Sequence, residues 1–107
     1  MWCLASDIWV MQAEIFKAIA HPTRVRIVDG LRGGERCVCE IMAELELEQS
    51  NVSQHLAVLK KAGVLGSRKD GMKMMYWVRQ DAAFKILDHT REILLEQAQE
   101  RFEVLNR

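Results

Sequence analysis

The segment Glu35-Arg36-Cys37-Val38-Cys39-Glu40-Ile41 carries two thiols one residue apart, just ahead of apolar residues at helical spacing. At a helix N-terminus the positive end of the helix dipole favours the thiolate, the form that binds soft metals and reacts with oxidants. Cysteine is also among the most often buried residue types, so the same pair can act as small apolar packing. A third cysteine, Cys3, lies in the apolar start Met1-Trp2-Cys3-Leu4-Ala5, which has no preceding basic residue and is soon followed by Asp7. That start does not have the form of a secretory signal, and an odd cysteine count does not suit a disulfide-stapled secreted domain. Reduced thiols in the cytoplasm are expected, and no apolar run is long enough to cross a bilayer.

A second group of candidates is basic and polar. Between Gln49 and Arg79, the six cations Lys60, Lys61, Arg68, Lys69, Lys73 and Arg79 stand against the single acid Asp70. That is +5 in a chain whose net charge is zero. Overall neutrality argues against nucleic acid, but the segregation places positive charge where a phosphate backbone would be met. A solvated basic face is the alternative. Ser50, Asn51, Ser53, Gln54 and His55 cluster at the start of the same segment. Short hydroxyls and amides at a helix N-terminus reach base edges or phosphates, and Asn or Gln pairs bidentately with adenine. An ordinary polar helix face has the same composition. No Gly-rich phosphate loop, paired-carboxylate cleft or nucleophile–base arrangement is present, so an enzyme is not expected.

These candidates need a scaffold, and 107 residues suffice for one domain spanning the whole chain, 1–107. Ile8, Met11, Ile15 and Ile19, widened by Phe16, predict a first helix from about Asp7 to Ala20. Pro22 opens a second helix to about Leu31, with His21 as its cap and Gly33-Gly34 after its end. A short third helix covers about Val38 to Glu46, and a tight connection leads to a fourth from about Ser50 to Ala62. In that fourth helix Val52, Leu56 and Leu59 form one face, and Gly63 supplies the C-terminal cap. Val64 to Lys69 and Met72 to Arg79 read as strands flanking an Asp70-Gly71 type I′ turn, with Arg68, Lys69 and Lys73 beside its tip, where a wing would lie along the DNA backbone. The last helix, about Asp81 to Leu105, has an apolar stripe too long for so small a domain to cover.

The run from Ser50 through Leu65, Ser-Asn-Val-Ser-Gln-His-Leu-Ala-Val-Leu-Lys-Lys-Ala-Gly-Val-Leu, resembles the recognition-helix signature of the ArsR/SmtB family of winged-helix repressors. Ala20-His21-Pro22-Thr23-Arg24-Val25-Arg26-Ile27 resembles the start of that family's second helix, and the likeness extends from about Ile15 to Val78. One departure is Glu48, where many relatives place a capping Ser or Thr. The resemblance implies a mainly α fold with a β-hairpin wing, ordered α-α-α-α-β-β-α, dimeric through its first and last helices. It implies two recognition helices in successive major grooves of a pseudo-palindromic double-stranded operator, with no cofactor required for DNA binding.

Cys37-Val38-Cys39 is similar to the thiolate motif that arsenic-, antimony- and cadmium-responsive members carry at the start of the third helix. Some of those members have a further Cys three residues on, where this chain has Met42; others take the missing sulfur from an N-terminal arm. The resemblance therefore implies a set of Cys37, Cys39 and Cys3, the last from either protomer, suited to As(III) or Sb(III) or to Cd²⁺ or Pb²⁺. A zinc site on the last helix is not expected, because Asp88, His89 and Glu92 have no second His downstream. Two other readings stand beside this one. One is a thiol redox switch in which Cys37 and Cys39 are oxidised or one of them pairs with Cys3, the latter being favoured because a disulfide across one intervening residue is strained. The other is a winged helix that docks protein rather than DNA.

Overall fold

The computed structural model describes residues 7–107, so Cys3 lies outside the described residues. Helix α1 spans Asp7–Ile19, and α2 spans Pro22–Gly30. His21 caps α2 as expected: its ring Nδ1 accepts the Thr23 N–H at 3.0 Å. A two-residue strand β1, Arg36–Cys37, precedes α3 (Val38–Leu45) and α4 (Gln49–Lys61). The hairpin β2 (Leu65–Asp70) and β3 (Lys73–Val78) follows, and α5 (Ala82–Leu105) closes the chain. The expected winged helix-turn-helix is present, with β1 as an addition. The three strands form one antiparallel sheet in the order β1-β3-β2, with Cys37 opposite Met75.

The hairpin turn sits one residue later than expected. Asp70 pairs with Lys73, leaving Gly71-Met72 as the two-residue loop. Gly71 has φ of 62° while Met72 is not in the positive region. Positive φ at the first central position alone is the requirement of a II′ turn, which glycine meets without a Cβ clash. The wing has one further close approach. Gly66 lies opposite Trp77, and a Cβ on Gly66 would fall 2.5 Å from the indole ring.

The core collects Ile19 from α1, Ile27 and Val28 from α2 with Leu31 at its C-terminal cap, Ile41 and Leu45 from α3, and Val52, Leu56 and Leu59 from α4. Val64, Leu65, Ala83 and Leu87 complete it, with Tyr76 and Val78 of β3 packed alongside. The start of α5 is tied to α2 through Arg32, which meets Asp29 and Asp88 at 2.7 Å each and lies 5.3 Å from the Phe84 ring centre. Arg91 of α5 adds a contact to Asp29 at 3.3 Å, and the helix beyond it is exposed. The radius of gyration is 17.0 Å, against about 13 Å for a compact chain of this length. Leu94, Leu95, Phe102 and Leu105 of α5 are exposed, as are Ile8, Trp9, Met11 and Phe16 of α1.

Candidate nucleic-acid interface and thiol site

Helix α3 ends at Glu46, whose φ of 56° is left-handed, and the chain turns at once into α4. Burying Val52, Leu56 and Leu59 fixes which way α4 faces. Ser50, Asn51, Ser53 and Gln54 are consequently exposed together, and Lys60 and Lys61 are exposed in the last turn. Gly63, with φ of 81°, supplies the expected left-handed residue after the helix. Glu48 occupies the N-cap position but makes no side-chain cap bond. Lys69 and Lys73 are exposed beside the wing tip.

Two members of the basic and polar set stand differently from the rest. Arg68 is engaged by Glu35: its Nε and Nη2 meet the two carboxylate oxygens at 2.9 and 2.5 Å. The bond from Arg68 holds the Glu35 carboxyl below its usual range, against a smaller opposing effect of burial. His55 is partly buried, with Arg24 Nη1 3.1 Å from its Nδ1 and its ring centre 4.4 Å from that of His21. Neither Glu35 nor Arg24 is singled out by sequence spacing; Glu35 lies 33 residues from the arginine it binds.

The thiol site sits where β1 becomes α3. Cys37 is the N-cap residue, extended at φ −79° and ψ 157°, and its Sγ accepts the Glu40 N–H at 3.3 Å. Glu40 Oε1 accepts the Cys37 N–H at 3.1 Å in return, a reciprocal capping box with sulfur in the role usually taken by a hydroxyl. The spacing Cys-x-x-Glu is the sequence signal that would have revealed it. Cys37 is 1% exposed, whereas Cys39, in the first helical turn, faces solvent.

Cys37 and Cys39 are joined to each other in a disulfide. This differs from the expected pairing of either with Cys3. The extended cap residue and the first helical turn bring the two Cα atoms to 5.3 Å, within the range a disulfide spans. Among the described residues no cluster of three or more His, Cys, Asp or Glu is placed to hold a metal. On α5, Asp88 is taken by Arg32, and His89 Nδ1 lies 3.1 Å from Glu92. No described helix is long and apolar enough to cross a membrane.

The profile described as "Bacterial regulatory protein, arsR family" matches residues 21–67, from the cap of α2 into the wing. The chain is 37% identical over 102 residues to the uncharacterized HTH-type transcriptional regulator Rv0081 of Mycobacterium tuberculosis, covering 94% of this chain and 90% of that one. The crystal structure of Rv0081 superimposes with a TM-score of 0.79, over 88% of this chain and 95% of that one. The arsenic resistance transcriptional regulator ArsR1 of Pseudomonas putida is 44% identical over 63 residues, 58% of this chain and 49% of that protein. The solution structure of the homodimeric winged helix-turn-helix DNA-binding domain of Mb0332 from Mycobacterium bovis is 22% identical. It superimposes with a TM-score of 0.81, over 94% of this chain and 93% of that one. A matched helix-turn-helix profile and a relative of nearly full length agree, and the chain belongs to the ArsR family of bacterial transcriptional regulators.

Proposed function

We propose that this regulator is a homodimeric repressor whose grip on a pseudo-palindromic operator is released when a soft metal or metalloid is held by Cys37 and Cys39. The observation that carries the proposal is the position of Cys37, which is at once the cap of α3 and the strand partner of Met75 in the wing. Ser50, Asn51, Ser53 and Gln54 read the major groove from α4, while Lys60, Lys61, Lys69 and Lys73 meet phosphates. The exposed apolar residues of α1 and α5 form the dimer interface, as the homodimeric Mb0332 domain encourages. Protein expressed in the cytoplasm presents the pair as thiols, and Cys3 from either chain supplies the third sulfur.

The residues of the site explain how the message travels. Drawing the Cys37 sulfur toward an ion takes it away from the Glu40 N–H, which loosens the first turn of α3. The same movement pulls on the β1–β3 pairing and hence on the wing. Helix α3 leads directly into α4, so both DNA-contacting elements are disturbed together. A tenfold change in operator occupancy needs only about 1.4 kcal/mol of differential affinity. As(III) or Sb(III) is the preferred effector, given the likeness to an arsenic resistance regulator; Cd²⁺ and Pb²⁺ have the same preference for sulfur.

The disulfide favours a second reading, a redox switch. Two thiols give up two protons and two electrons to a hydroperoxide, which leaves as water and an alcohol, and the new S–S bond replaces the ion. One experiment separates the readings: operator binding by fully reduced protein, titrated with arsenite, antimonite, cadmium or peroxide. Release by the ions under reducing conditions, lost in a Cys37→Ser, Cys39→Ser variant, supports the first. Release by peroxide alone supports the second, and an unchanged response of the double variant removes both.

A further inference from the structure

Arg24 joins three helices at one point. Its Nε donates to the Ala18 carbonyl at 2.6 Å and its Nη2 to the Lys17 carbonyl at 3.4 Å, taking up free acceptors at the end of α1. Its Nη1 reaches Nδ1 of His55, near the middle of α4. Beside it the His55 ring lies against that of His21, whose own Nδ1 is the cap acceptor of α2. An arginine has no acceptor, so the Arg24 contact makes His55 Nδ1 the acceptor. A backbone N–H makes His21 Nδ1 an acceptor for the same reason. The His55 ring is then neutral, with its proton on Nε2.

We infer that Arg24, His55 and His21 are positioning residues that lock the recognition helix to α1, and that protonating His55 opens the lock and weakens operator binding. A second proton on the His55 ring occupies Nδ1 and removes the contact from Arg24 that it accepts. It also places an imidazolium charge beside the Arg24 guanidinium and against the His21 ring. α1, α2 and α4 carry the charged residues Asp7, Glu14, Lys17, Arg24, Arg26, Asp29, Lys60 and Lys61, and of these Arg24 alone meets His55. Those that act on His55 are His21 and Arg24, and with burial as the larger cause they hold it below the usual histidine range. The inference rests on α4 being the DNA-reading helix. It deepens that reading, because α1 also carries the exposed apolar face assigned to the dimer, so the lock relates dimer geometry to the groove.

The sign of the effect makes it testable. Added positive charge by itself strengthens attraction to DNA, so an opening lock predicts the opposite of the plain electrostatic trend. A one-unit difference in a histidine's pKa between locked and opened states corresponds to about a tenfold change in the linked equilibrium. Operator affinity, measured by fluorescence anisotropy at constant ionic strength, is expected to fall about tenfold or more between about pH 7.5 and 5.5. In a His21→Asn, His55→Asn variant, whose amide oxygens accept like Nδ1 but do not titrate, the profile is expected to be flat or to rise slightly. Affinity that rises on acidification of the parent, or an equal fall in the variant, overturns the inference. A DNA-free measurement keeps it separate from the operator reading. Ring ¹⁵N NMR near pH 8 is expected to show both histidines protonated on Nε2, and His55 is expected to titrate closer to an ordinary histidine in Arg24→Met. Nδ1-protonated rings, or an unmoved His55, overturn the lock whether or not the protein binds the operator.

Discussion

Arg68 of the wing and Glu35, two residues before Cys37, are bound to each other fork to fork, at 2.9 and 2.5 Å. The arginine that stands out as a phosphate contact in the sequence is thus held by a carboxylate at the edge of the thiol site. Sequence distance hides the relationship, and the sheet creates it by laying β1 against β3, with Arg68 of β2 opposite Met75 and Met75 opposite Cys37.

Glu35→Gln removes the carboxylate charge and frees Arg68. We expect tighter binding to random-sequence duplex and a salt dependence of log Kd steeper by about one unit per protomer. Anisotropy titrations over a series of salt concentrations measure both. An unchanged slope would mean that Arg68 does not reach phosphate even when unpaired.

The two arginine-held carboxylates give the acid side of stability its sign. The bond from Arg32 depresses Asp88, and the bond from Arg68 depresses Glu35. A carboxyl depressed in the folded state contributes stability above its unfolded pKa and loses it as pH falls through the folded value. These contributions are therefore present at neutrality, begin to fade near about pH 4, where ordinary carboxyls titrate, and are gone only once the depressed folded carboxyls are themselves protonated. Both groups are on the surface, so solvent keeps the effect small. NMR titration of Asp88 in Arg32→Ala should show its midpoint rising toward the ordinary aspartate range; a midpoint that stays as depressed as in the parent would contradict the assignment.

Gly66→Ala drives a methyl into the Trp77 indole. We expect a loss of about 1–3 kcal/mol, read from urea unfolding, with a change in tryptophan emission as the ring is displaced. Gly71→Ala is strained for a different reason, because its φ of 62° is unfavourable to a Cβ. Its effect should stay at the wing tip and leave the Trp77 environment intact.

Leu95 is 70% exposed on α5, beside Leu94 at 63%. Charge placed there has no folded-state cost within one protomer but would be buried in the proposed dimer. Leu94→Glu, Leu95→Glu is expected to give a monomer in sedimentation equilibrium with unchanged helical circular dichroism. A dimer of undiminished strength would place the interface elsewhere.

Where apolar spacing had a single interpretation, the sequence was legible. Val52, Leu56 and Leu59 are all fully buried, as their i, i+4, i+7 spacing requires, and that orientation exposes Ser50, Asn51, Ser53 and Gln54. Pro22 and Gly63 fixed helix boundaries because their backbone preferences are strong. What remained hidden depended on tertiary partners. β1 is two residues long, too short for any periodicity, and exists because β3 lies beside it. The turn moved by one residue because the β2–β3 register carries on to Asp70 opposite Lys73, which the local Asp-Gly signal does not reveal. His55 looks like its polar neighbours on the helix and differs only because Arg24 and His21 stand over it. The likeness to thiolate motifs identified Cys37 and Cys39, but not their bond or the capping box around them.

The central claim is that α4 and the wing bind the DNA backbone and grooves, and salt dependence tests it most directly. Binding to a duplex selected from a random pool should weaken linearly in log–log form as salt is raised. With Lys60, Lys61, Lys69 and Lys73 of two protomers engaged, the slope should lie between about −4 and −7; it should become shallower in Lys69→Ala, Lys73→Ala. No duplex binding in dilute buffer, or a slope near zero, would contradict the account.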